Sequence, residues 1–202
     1  DIESYQGSPE KPAIIFIHGL GMDKNIWVAP FRSRVLGGMF PLQVLVGRYA
    51  SGNARILRTL FGDLRDRHYP VITWSEQRLS NRIEAVIPEL SLVAGLARRM
   101  SDAGIILVGH SRGGLIARKY LSKSDNSVKG LVTIATPHRG SAVARMARYI
   151  APVASFLGPL VPKGNRNNIS RAVNRISEFL KSKALQELLP ESTFFQTLQD
   201  SP

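Results

Sequence analysis

The chain has 202 residues, 44% of them hydrophobic and 21% charged, which suits one globular domain with a sizeable core and argues against intrinsic disorder. It contains no cysteine, so a disulfide framework, a thiol nucleophile, a thiolate zinc site and an iron–sulfur cluster are all excluded. Lys and Arg total 27 against 15 Asp and Glu, a formal charge of +12, which permits anionic partners without naming one.

The first strand expected is Ala13-Ile14-Ile15-Phe16-Ile17, continuously apolar and β-branched as a strand buried on both faces should be. It ends in the glycine-punctuated turn His18-Gly19-Leu20-Gly21. The connection from Met22 to Gly52 is long enough to carry a helix of its own or to cover something. Asn53 is placed to cap a helix bearing Leu57, Leu60, Phe61 and Leu64. A second strand, Val71–Trp74, precedes a long helix capped by Asn81, which Pro88 should kink or whose true start it should mark. Gly104 introduces a third strand, Ile105–Val108, followed by a helix carrying Leu115, Ile116, Tyr120 and Leu121. A fourth strand, Val128–Ala135, ends in Thr136-Pro137-His138. Strands alternating with helices predict an α/β fold: a mostly parallel sheet with helices on both faces, joined by right-handed crossovers. Residues 141–200 read as helices and loops appended to a core of 12–140, within one domain spanning 1–202.

The chemistry is carried by Gly109-His110-Ser111-Arg112-Gly113. A G-x-S-x-G pentapeptide is weak evidence alone. Here it follows a buried strand directly and opens a helix, the setting a nucleophile elbow requires. The tight turn strains the serine backbone and demands small flanking residues, supplied by Gly109 and Gly113, with Gly114 letting the helix approach the sheet. Ser111 then projects at the C-terminal edge of the sheet, where ligands bind in open α/β folds. Acyl transfer also needs two N–H donors for the developing oxyanion. The backbone of Arg112 supplies one, and the turn after the first strand supplies the other, most simply from Leu20. His18 and Gly19 shape that turn.

Ile17-His18-Gly19-Leu20-Gly21, Val108-Gly109-His110-Ser111-Arg112-Gly113-Gly114-Leu115 and Ala135-Thr136-Pro137-His138-Arg139-Gly140-Ser141 together resemble the α/β-hydrolase superfamily. Within it they resemble bacterial-type lipases and esterases related to the GPI-inositol deacylase. The likeness spans about residues 12 to 145, the Met22–Gly52 connection being atypical. It implies an α/β-hydrolase fold and a serine carboxylic-ester hydrolase acting on an ester or lipid through an acyl-enzyme, with no cofactor and no metal. An acyltransferase of the same fold and a non-catalytic α/β-hydrolase-like binding protein are the alternatives.

A serine hydrolase also needs a general base and a group to orient it. In this superfamily the order is serine, acid, histidine. The four histidines are His18, His68, His110 and His138. His18 and His110 belong to motifs, and His68 falls before Pro70 at the wrong edge of the sheet. His138 is assigned by the resemblance to shaping its loop beside the site, with the role of base as the alternative. Asp125 precedes the fourth strand at the opposite edge, Asp200 sits close to the last residue, and Glu178, Glu187 and Glu191 read as solvated helix faces. The acid and histidine are therefore expected beyond Pro202, the chain being read as an incomplete hydrolase with little activity by itself; its first residue, Asp1, and the lack of a visible leader agree with a processed or partial chain.

Residues 141–190 occupy the place of a lid. Phe156, Leu157, Leu160 and Val161 either cover an acyl-binding groove or form ordinary core. Nine Lys/Arg lie between Arg139 and Lys183 against a single acid, Glu178, so the basic charge is concentrated there and suits an anionic lipid or membrane surface. Nucleic acid is not expected, because no recognition motif and no interleaved stacking aromatics accompany the charge. No apolar run reaches the length of a transmembrane helix, which predicts a protein that is soluble or peripheral to a membrane.

Overall fold

The computed structural model describes residues 1–35, 40–41, 58–77, 82–123, 125–141 and 181–198. In chain order the elements are β1 (Ile2–Tyr5), β2 (Ala13–Ile17), α1 (Asn25–Val28), β3 (Arg34–Val35), β4 (Phe40–Pro41), α2 (Leu60–Asp66), β5 (Val71–Trp74), α3 (Ile83–Met100), β6 (Ile105–His110), α4 (Arg112–Leu121), β7 (Val128–Ile134), α5 (Lys183–Gln186) and α6 (Thr193–Thr197). Five strands form one sheet in the order β1-β5-β2-β6-β7, parallel except for β1, which runs antiparallel to β5. Sequence reading did not anticipate β1. Its residues Ile2 to Ser4 are exposed, so it carries too little apolar signal to be read without its partner.

The pleat of β2 divides the interior. Ala13, Ile15 and Ile17 face a large core with Leu90, Ala94 and Ala97 of α3 and Leu115 and Ile116 of α4. Ile14 and Phe16 face the other layer, with Trp27 of α1 and Phe61 of α2. Both faces are thus buried, which is why the segment is apolar throughout rather than alternating. Each fully buried large side chain of this kind contributes about 1.5–3 kcal/mol.

Several local expectations are corrected. The long helix starts at Ile83 behind Arg82, which makes no side-chain cap, and continues to Met100 with Pro88 inside it; Asn81 lies outside the described residues. Pro88 therefore does not mark the helix start. Thr59, not Asn53, caps α2, its hydroxyl accepting from Gly62 N–H at 3.0 Å. Asn53 and Leu57 lie outside the described residues. The expected helix in the Met22–Gly52 connection is α1, followed by a 3-10 turn at Pro30–Arg32 and the β3–β4 ribbon. Of the expected lid, 142–180 lies outside the described residues, as does most of the basic charge. In the remainder, Leu188 and Phe194 are buried in the main core. No described helix is long and apolar enough to cross a membrane.

Because β5, β2, β6 and β7 run parallel, their C-terminal ends share one edge. That edge gathers Glu76, the turn 18–21, Ser111 and the loop 136–140, while His68 and Asp125 are left at the opposite edge. His68 is exposed there and pairs with the Tyr5 hydroxyl through Nδ1 at 3.1 Å. Asp125 is tied to Arg98 at 3.0 Å and accepts from the Tyr120 hydroxyl.

Candidate active site

Ser111 occupies the junction between β6 and α4 with φ 52° and ψ −122°. A left-handed φ is costly for a residue with a Cβ and persists only where the surroundings over-determine it. They do so here. A Cβ added to Gly109 would stand 2.5 Å from the Gly114 Cα, one on Gly113 would strike the carbonyl oxygen of Ile17, and one on Gly114 would strike the Thr136 hydroxyl. The first turn of α4 is thus pressed against β2 on one side and the turn after β7 on the other. Ser111 N–H extends the sheet ladder by donating to Ile134 O at 2.8 Å.

A serine at a helix N-cap ordinarily spends its hydroxyl on the orphan N–H groups of the first turn. Ser111 makes no such bond, so its hydroxyl stays available at a helix end whose partial positive charge favours a developing anion. The turn after β2 abuts it: a Cβ on Gly19 would lie 3.2 Å from Ser111 Cβ and 3.0 Å from His110 Nδ1. That turn closes through Met22 N–H to Gly19 O at 3.3 Å, with Gly21 at φ 67° in the position that demands a left-handed residue. Among the described residues, nothing accepts a hydrogen bond from Leu20 N–H.

The histidines take distinct places. His18 is 1% exposed; its Nε2 accepts from Glu76 N–H at 3.2 Å and its Nδ1 donates to Gly19 O at 3.0 Å. Both nitrogens are spent on holding the turn. His110 packs edge-on to Trp27, and burial first, then neighbouring His18, push its imidazole below the ordinary histidine value. His138 is exposed, one ring nitrogen 3.2 Å from the Arg118 guanidinium and the other 3.1 Å from the Thr133 hydroxyl. Among the described residues, no hydrogen bond joins a histidine to the Ser111 hydroxyl.

One acid was missed from the sequence and another misread. Glu76, two residues past β5, is buried and accepts from Arg112 Nη1 at 2.9 Å on each carboxylate oxygen. The Arg112 side chain is itself fully buried, although the sequence pointed only to its backbone. Glu187 is not a solvated helix face: half-buried, it accepts from the N–H of Ile83 at 2.8 Å and so caps α3 from 104 residues away. Burial pushes it up to about 7, with Glu84 adding to the rise, while the Ile83 N–H and Arg112 pull the other way. Glu191 is exposed, and Glu178 and Asp200 lie outside the described residues. A cavity of about 420 Å³ lies between the start of α3 and α5–α6, lined by Arg82, Glu84, Lys183 and Glu187 among others. It does not include Ser111. Among the described residues, no group of three His, Asp or Glu side chains is placed to hold a metal ion.

Residues 14–200 match the model of the alpha/beta hydrolase family. A stretch of 62 residues is 37% identical to the GPI inositol-deacylase of Candida albicans, covering 30% of this chain and 16% of that protein. The fold is similar to that of mature lipase BlEst2 from Bacillus licheniformis, with a TM-score of 0.57, 16% identity and coverage of 98% of this chain and 63% of that one. It is also similar to a lipase-esterase related protein from Clostridium acetobutylicum, with a TM-score of 0.50, 14% identity and coverage of 91% and 70%. The chain thus spans less than two thirds of the length of both the deacylase and BlEst2. With its strand–turn–helix elbow, its mostly parallel sheet and this match over almost its whole length, the chain belongs to the alpha/beta hydrolase family.

Proposed function

We propose that the protein is a serine carboxylic-ester hydrolase of the lipase or esterase type, working through an acyl-enzyme on Ser111. The observation that carries this reading is the strained Ser111 at the helix start, its hydroxyl not used as a cap, beside a turn whose Leu20 N–H has no acceptor among the described residues. Ser111 Oγ attacks the ester carbonyl and gives its proton to a general base. The carbonyl oxygen becomes an oxyanion held by the backbone N–H groups of Leu20 and Arg112. Collapse of the tetrahedral intermediate breaks the bond to the alcohol, which leaves with a proton, and water then hydrolyses the acyl-serine by the same steps in reverse. Gly19, Gly109 and Gly113 provide the close approach, while His18, His110 and His138 support the walls of the site. His18 is unsuited to be the base, since both its nitrogens are committed.

The relatives' names extend the reading to an ester or lipid substrate, and the basic run from Arg139 to Lys183 supports contact with an anionic lipid surface. The test is labelling of the protein, expressed from its own gene, with a fluorophosphonate probe. Labelling that disappears in Ser111→Ala is expected, together with release of p-nitrophenol from p-nitrophenyl esters. An unlabelled wild-type protein points instead to a binding protein of the same fold. Labelling with ester exchange but no hydrolysis points to an acyltransferase.

A further inference from the structure

The two backbone donors of the proposed oxyanion hole lie on separate turns, one after β2 and one after β6, with no covalent link shorter than ninety residues between them. The structure joins them through a third turn. The guanidinium of Arg112 holds the Glu76 carboxylate through two contacts of 2.9 Å, the side chains being 0% and 1% exposed. The backbone N–H of the same Glu76 donates to His18 Nε2, and His18 Nδ1 donates to Gly19 O. Gly19 O and Leu20 N–H belong to one planar trans peptide, so fixing the direction of the carbonyl fixes that of the N–H pointing the opposite way.

We infer that Glu76 is a positioning residue for oxyanion stabilisation: its side chain anchors the residue after the nucleophile, and its backbone anchors the turn carrying Leu20. This inference rests on the acyl-transfer reading of Ser111. A buried ion pair is a poor source of net stability, since desolvation offsets the attraction. An apolar pair at positions 76 and 112 would be buried in the same place without the cost of desolvating two charges. What the pair supplies that a hydrophobic residue does not is a fixed direction. An oxyanion donor displaced by a fraction of an ångström loses much of its effect, because it acts on charge that exists only in the transition state.

The experiment compares Glu76→Gln and the double variant Glu76→Leu/Arg112→Leu with wild type, all expressed from the protein's own gene. The readouts are melting temperature, kcat and KM for a p-nitrophenyl ester, and Ki for a trifluoromethyl ketone, which forms an oxyanion adduct with serine. Inhibition by the corresponding secondary alcohol, which forms none, serves as the ground-state control. Glu76→Gln is expected to lower kcat by roughly 10- to 100-fold with KM changed less than about threefold, and to weaken the trifluoromethyl ketone by the same factor as kcat. Alcohol inhibition should not move. The double variant replaces the pair with apolar groups and should recover the wild-type melting temperature without recovering kcat. A folded double variant with wild-type kcat overturns the inference, as does a double variant that does not fold, because either result makes the pair purely structural. A loss confined to KM overturns it too. If wild type itself shows neither turnover nor Ser111-dependent labelling, the acyl-transfer reading fails first and takes this inference with it.

Discussion

Two strand ends on the same edge of the sheet carry the same backbone anomaly. Ser111 after β6 has φ 52° and Ala135 after β7 has φ 50°. They are held by different means. The Ser111 turn is enclosed: backbone of β2 lies against Gly113, the Thr136 side chain lies against Gly114, and Arg112 is locked to Glu76 beneath it. The Ala135 turn is exposed and held by local bonds, His138 N–H to Thr136 O and Gly140 N–H to Pro137 O, both at 2.9 Å. Its far end is anchored by Ser141 N–H to Leu188 O at 2.8 Å, where Gly140 at φ 87° packs on Pro190. Strain held by packing on both flanks leaves the side chain at its apex with nothing structural to do. Strain at the surface is spent on redirecting the chain, here to bring Thr136 over the start of α4.

That contrast breaks most sharply at Ser111. Ser111→Ala should abolish fluorophosphonate labelling and lower ester turnover by at least about a thousandfold, with the melting temperature unchanged within about 2 °C, since the hydroxyl makes no described bond. A large loss of stability would show that the serine is structural after all. Gly113→Val should be the most destabilising single change at the elbow. Its side chain meets the Ile17 carbonyl, which cannot yield without opening the sheet, so a cost of about 3 kcal/mol and a fall of about 10 °C in thermal melting are expected. An unperturbed melt would mean that α4 is free to move from β2, and that the elbow is not enclosed.

A pH series tests the region beyond the second turn. Glu187 has an ordinary value of 4.5 and is raised to about 7 in the fold. It therefore holds its proton more tightly folded than unfolded. Its contribution to stability is fully present below about pH 4.5 and is lost as the pH rises through about 7. Glu187→Gln keeps an acceptor for Ile83 N–H and removes this loss. After allowance for solvent at a half-buried site, about 1 kcal/mol, or 2–4 °C in melting temperature, should be gained at pH 8. An equal effect of the variant at pH 4 and pH 8 would contradict the assignment. The smallest effect is expected at Ala135. Replacement by glycine relieves the left-handed penalty but frees the unfolded chain, so the terms cancel to within about 0.5 kcal/mol. Destabilisation by Ala135→Gly of more than about 2 kcal/mol would mean that the second turn is enclosed like the first.

The core strands and the elbow were legible in the sequence because their signals are local. Continuous apolar runs mark strands covered on both faces, and glycines at fixed offsets mark a turn that tolerates no Cβ. The strand β1, the caps of α2 and α3, and the roles of Glu76 and Glu187 were not legible. Nothing near Ser75-Glu76-Gln77 distinguishes a buried carboxylate from a solvated one, and only a cationic residue 36 positions away makes its burial tolerable. The same holds for Glu187, whose partner is a helix start 104 positions earlier. An arginine directly after Ser111 was the one available clue: so large a charged side chain at a packed helix start requires an acid to meet it.

By itself, the sequence determined that this is a mostly parallel α/β sheet with a serine at a strand–helix turn, since hydrophobic period and glycine spacing follow from the chain's own stereochemistry. Only the tertiary structure decided which charged groups are buried together, which histidine nitrogens are already spent, and how the turns at residues 19 and 111 are brought into contact. Those outcomes depend on strand order and register. Crossover connections fix them by joining segments that are distant along the chain, and no local pattern of residues encodes them.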